Sequence, residues 1–107
     1  MAQYDIHALG APRNAPRRFP ATYVVDLQAS LYAHLPTRLV APLVPASVHG
    51  KPFERINPII ELDGRSYVLV IQQSVGLTTR DLGPVVGSAA GQADAIKDAL
   101  DLLLLGI

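Results

Sequence analysis

Two strand-like runs, residues 57–62 and 65–73, flank the dipeptide Asp63-Gly64. Such a pair accepts the positive φ angles of a type I′ turn, whose twist matches that of the strands on either side. The segment therefore predicts an antiparallel hairpin, and the rest of the chain has to be compatible with a sheet. Near the start, Tyr4, Ile6 and Ala8 alternate with Asp5 and His7, the period of a half-buried strand over residues 3–9. Residues 10–20 then gather Pro12, Pro16 and Pro20 with Arg13, Arg17 and Arg18, a composition that reads as an exposed basic loop. Residues 21–28 are β-branched and aromatic and predict a second strand. Residues 29–34 fit either its continuation or a helical turn, which Pro36 ends. Residues 39–44 predict a strand with a free edge or a bulge at Pro42, and residues 77–82 another short one. Gly83, Pro84, Gly87, Ser88 and Gly91 read as a loop.

Only the end of the chain is helical by pattern. Ile96, Ala99, Leu100 and Leu103, with Ile107 beyond them, recur at the three and four spacing of one apolar stripe, which predicts a helix over residues 92–104. On a wheel of about 100° per residue Leu105 falls about 180° from Ile96, among Asp94, Asp98 and Asp101, and Leu104 about 80° away. Leu105 is thus expected to point away from the core while Leu103 is buried. The fold class is mainly β (α+β), with one C-terminal helix.

A chain of 107 residues, half of them apolar and 17% charged, fits a single compact domain over residues 1–107. The absence of cysteine excludes a disulfide framework, thiolate-bound zinc, iron–sulfur clusters and thiol catalysis, and suits a reducing compartment. No run approaches the roughly 18 apolar residues of a membrane span, and residues 1–10 have neither a basic nor an apolar leader region, so a cytoplasmic protein without a membrane role is expected. Residues 1–55 hold six basic and three acidic groups and residues 56–107 three and six, +3 against −3, for a net charge of zero. A strong phosphate-backbone binder needs a surplus of Lys and Arg, so proteins are the expected partners, with the acidic half as ordinary solvated surface or as a docking face.

Chemistry-bearing motifs are few. His7, His34 and His49 stand 27 and 15 residues apart, without the spacing of a metal site on one element, and no nucleophile elbow or phosphate-binding glycine loop occurs. No cofactor is expected. Asp26, between Val25 and Leu27, is either a buried acid, an outward strand residue or a structural hydrogen-bond acceptor, and Arg38 and Arg65 are either phosphate-polarising groups or surface arginines.

Taken together, Val24-Val25-Asp26-Leu27-Gln28, Arg38-Leu39-Val40-Ala41-Pro42-Leu43, Asn57-Pro58-Ile59-Ile60 and the stretch from Asp94 through Leu102 to Gly106-Ile107 resemble the CcdB family. These are toxins of type II toxin–antitoxin pairs that poison DNA gyrase. Residues 57–107 fall on the family pattern without a gap. The resemblance implies an SH3-like β-barrel of the CcdB/MazF type with one C-terminal helix, assembled as a homodimer. It implies a protein without catalysis of its own that binds the DNA gyrase A subunit. It also implies a cognate CcdA-like antitoxin, with which the toxin co-represses its operon and meets DNA only indirectly. Carried over singly, the gyrase-binding positions are Leu31 and Tyr32 after the second strand, Asp101, and Leu104, Leu105, Gly106 and Ile107 at the end. Three of these depart from the family: Leu105 stands at a tryptophan position, Leu104 at a phenylalanine position and Asp101 at an asparagine position. A leucine cannot stack on a guanidinium, which removes a cation–π attraction worth about 0.5 to 2 kcal/mol. The other readings of the chain are a MazF-type endoribonuclease on the same fold and a non-toxic CcdB-like remnant.

Overall fold

The computed structural model describes residues 2–9 and 22–106. The basic loop expected over residues 10–20 and the terminal Ile107 lie outside the described residues. Among the described residues, seven strands form one antiparallel sheet: β1 (Asp5–Leu9), β2 (Tyr23–Asp26), β3 (Thr37–Pro45), β4 (Ile59–Leu62), β5 (Arg65–Leu69), β6 (Val75–Thr78) and β7 (Leu82–Ser88). A four-residue helix α1 (Ala46–His49) follows β3, and α2 (Ala93–Leu105) closes the described chain. The strand order is β4-β5-β3-β2-β1-β7, with β6 also on β3. Nine-residue β3 is the spine. One edge carries β2, and the other carries β6 along Thr37–Val40 and β5 along Leu43–Pro45, which curls the sheet into a half-barrel.

The hairpin forms as the turn chemistry requires, with Asp63 at φ 52° and Gly64 at φ 77°. Its arms are shorter than the sequence suggests. β5 stops at Leu69, and the chain tightens into a 3-10 turn at Ile71–Gln73 that drives Ile71 into the core beneath α2. β1 begins only at Asp5 because Tyr4 is left-handed (φ 70°), though its N–H still donates to the Asp26 carbonyl and its own carbonyl accepts from Ala89 N–H.

Three other expectations are corrected. Pro42 sits inside the sheet, opposite Val24, which removes the free edge but leaves the irregularity expected there, since pairing on its other side breaks between Val40 and Leu43. Its carbonyl accepts from Val70 N–H at 3.0 Å, so the side on which proline lacks an N–H faces the junction where β6 gives way to β5. The stretch expected to be a glycine-rich loop is β7, an outer strand of the described sheet paired with β1 through two register irregularities. There the glycines serve close approach: a Cβ at Gly83 would lie 2.3 Å from the Ala8 carbonyl oxygen, and one at Gly87 would lie 2.8 Å from Leu62 Cδ1. Finally, the strand expected over residues 77–82 starts two residues earlier and ends four earlier, as β6, and a 3-10 turn at Thr79–Asp81 separates it from β7.

Strand alternation sorts the interior into two faces. Ile6, Val25, Ala41, Leu43, Ile60, Leu62 and Leu69 form one apolar cluster with Ile71, Ile96 and Ala99, which places α2 over that face. The opposite face is also buried at its centre. It holds Val24, Val40 and Val68, and with them the buried polar side chains His7, Asp26 and Arg38. His7 Nδ1 lies 3.0 Å from the Gly83 carbonyl and ties β1 to β7 across the irregular register.

Candidate partner-binding surface

Two exposed apolar groups stand out from this frame. The first follows β2. Ala29 to Ala33 make one 3-10 turn, Ser30–Tyr32, in which none of the helical residues is buried: Leu31 is 77% exposed and Tyr32 51%. The Tyr32 ring lies against His34, centroids 6.5 Å apart, and Leu35 and Leu39 extend the apolar surface. Of the two forms open to residues 29–34, the helical turn is the one adopted. Its own bonds are few: Tyr32 N–H donates to the Ala29 carbonyl and Ala33 N–H to that of Ser30. Support comes from behind. Arg38 Nε and Nη2 donate to Asp26 Oδ2 at 2.9 and 2.6 Å, both side chains being fully buried. Gln28 N–H in turn donates to Asp26 Oδ1 at 2.9 Å.

Asp26 is thus buried and is the structural hydrogen-bond acceptor of the three alternatives, and Arg38 is neither a surface arginine nor a phosphate ligand. Desolvating either charge alone costs several kcal/mol, and the facing opposite charge offsets that cost, although Arg38 Nη1 is buried without a hydrogen-bond partner among the described residues. The signal that marks this pair is an acid between Val25 and Leu27 and a base followed by Leu39 and Val40, on strands that the short 27–36 segment makes adjacent. Arg65 remains accessible. It lines an open groove of about 420 Å³ with Tyr23, Leu43, Val48 and Tyr67, none of which belongs to the expected gyrase-binding set.

The second group is the end of α2. The helix buries Ile96 and Ala99 and half-buries Leu100 and Leu102, but Leu103 is 41% exposed, contrary to its expected place in the buried stripe. The periodicity is right, and the surface meant to cover it runs out. α2 packs on the turns at Ile71–Gln73 and Ala90–Gln92, next to its first half, so its last turns extend past the cluster. Leu104 is 74% and Leu105 68% exposed, and Asp101 is exposed one turn earlier. Gly106 terminates the helix in the left-handed region (φ 76°), with its N–H donating to the Leu102 carbonyl at 3.0 Å.

Leu31, Tyr32, Asp101, Leu104, Leu105 and Gly106 are therefore all solvent-facing. The structure does not bring the two groups together within one chain: among the described residues, no substantial packing joins the Ser30–Tyr32 turn to α2. Sequence reasoning also missed Gln28, whose role depends on where the loop closes and leaves no mark in composition. A family model described as CcdB protein matches residues 3–106. A search of the curated proteins found no match.

Proposed function

The chain belongs to the CcdB family of toxins from toxin–antitoxin pairs, and from that premise we propose that it inhibits DNA gyrase by binding the gyrase A protein. The observation that carries this reading is the end of α2, where Leu104 and Leu105 stand uncovered on a helix whose first half is anchored in the core. Adjacent exposed leucines at a helix end are apolar surface of the kind a partner can bury.

In this reading a homodimer wedges between the two gyrase A chains and holds gyrase on cleaved DNA. Two-fold symmetry repeats every surface, so a dimer would carry two copies of the helix end and two of the Ser30–Tyr32 turn. The effect is occupancy of one enzyme state, set by the difference in affinity between that state and the others. With its antitoxin the dimer would also bridge repressor units on the operator, adding avidity without touching bases. Supercoiling and RNA-cleavage assays run side by side test the proposal. Inhibited supercoiling with intact RNA is expected. Cleaved RNA would instead point to a MazF-type endoribonuclease, and no effect in either assay to a non-toxic relative. The burial of Asp26 and Arg38 against each other speaks against RNA cleavage, since that pair cannot reach a phosphate.

A further inference from the structure

Gln28 lies outside the residues assigned to the gyrase contact, yet its side chain determines the shape of one of the two groups. Its Nε2 amide donates to the Tyr32 carbonyl at 2.9 Å and to the Thr37 carbonyl at 3.1 Å, while its Oε1 accepts from Leu39 N–H at 2.9 Å. One side chain thus fastens the middle of the segment between β2 and β3 to its far end. The backbone of Gln28 is fixed as well, by Asp26 Oδ1 on its N–H and by Arg38 Nη2, which donates to its carbonyl at 3.4 Å. A continuous set of hydrogen bonds therefore runs from the buried ion pair through Gln28 to Tyr32.

The chemistry demands an amide. Two carbonyl oxygens require two donors and one N–H requires an acceptor, and among side chains of this length only glutamine supplies both. Glutamate has the same shape but would set a carboxylate oxygen against the two carbonyls. We propose that Gln28 is a positioning residue for gyrase binding, holding the Ser30–Tyr32 turn so that Leu31 and Tyr32 are presented in one conformation. This rests on the reading that these two residues meet gyrase A. A turn ordered before contact does not have to be ordered by it, which is where the affinity is gained.

The test is a binding cycle with purified gyrase A and the full chain: wild type, Gln28→Glu, the pair Leu31→Ala with Tyr32→Ala, and all three together. Gln28→Glu should lower affinity about tenfold and speed amide exchange at Ala33 and Leu35, whose N–H groups donate to the Ser30 and Tyr32 carbonyls. In the background lacking the Leu31 and Tyr32 side chains the same change should alter affinity less than about twofold, because nothing is left to position. An equal loss of affinity in both backgrounds would overturn the proposal, as would wild-type affinity in Gln28→Glu. If Gln28→Glu does not fold, Gln28→Met removes both donors without adding charge and is judged by the same outcomes. A wild-type chain with no affinity for gyrase A overturns the functional reading itself, and is distinguished by failing before any substitution is made.

Discussion

The Ser30–Tyr32 turn and the end of α2 expose similar side chains and are built on opposite plans. The turn has no buried residue of its own and takes its shape from Gln28, Asp26 and Arg38 behind it, with Ser30 Oγ accepting a further bond from Gln3 N–H. The helix end needs no such bracing. Its thirteen-residue ladder of backbone bonds shapes it, and Ile96 and Ala99, more than a turn away, hold it to the sheet. A surface presented by bracing should be sensitive to remote, buried substitutions, whereas one presented by a helix should respond only to changes in or next to it.

The largest effect should come from Arg38→Met, which leaves Asp26 as a buried, unpaired charge. A loss of about 3 to 5 kcal/mol in urea denaturation is expected, and Asp26→Leu added to it should recover most of that, since the cost lies in the orphaned charge. A neutral Arg38→Met would show that the turn has no buried brace and would break the contrast. Next comes Ile96→Ala at the anchored half of α2, where removing a fully buried side chain should cost about 2 to 5 kcal/mol. Leu103→Ala, two turns on, should cost less, about 1 kcal/mol, because that residue is already 41% exposed. Equal costs at the two positions would mean that Leu103 is covered in solution, as it would be at a dimer interface. Comparing the melts at low and high protein concentration separates these cases.

How far such features can be read from sequence follows from how local their causes are. The Asp63-Gly64 turn and the helix of residues 93–105 are legible because backbone preference and periodicity act within a few residues. β7 is hidden: glycines and a proline read as loop until β1 lies beside them and the Ala8 carbonyl leaves no room for a side chain at Gly83. The helical period identifies the inward face of α2, but only the sheet decides how far along the helix that face is covered, which is why the burial expected of Leu103 fails. The site divides in the same way. The exposure of Leu105 follows from its angle on the wheel, while the roles of Arg38 and Gln28 exist only once β2 and β3 are in register.

A smaller effect is expected at the helix terminus. Gly106→Ala forces a side chain into the left-handed region and should cost about 1 kcal/mol, read from the thermal melt. A loss much larger than this would mean that the last turn is packed against something and is not simply ended there.

The smallest effect on stability, and the most telling for function, belongs to Leu105. With its side chain 68% exposed, Leu105→Ala should leave unfolding within about 0.5 kcal/mol of wild type. If the residue is a gyrase contact, the same change should weaken binding to gyrase A about tenfold or more, equivalent to at least about 1.4 kcal/mol. Gln28→Glu should not alter the contribution of Leu105, because the helix end carries its own geometry. Leu105→Trp sharpens the point further: an indole at this exposed position can stack on a guanidinium where leucine cannot, so tighter binding would show that the target surface still offers such a cation. Unchanged or weaker binding by the tryptophan variant, with Leu105→Ala still harmful, would mean that the partner surface is shaped for leucine. Wild-type affinity in Leu105→Ala would remove the helix end from the contact and leave the braced turn as the surface that matters.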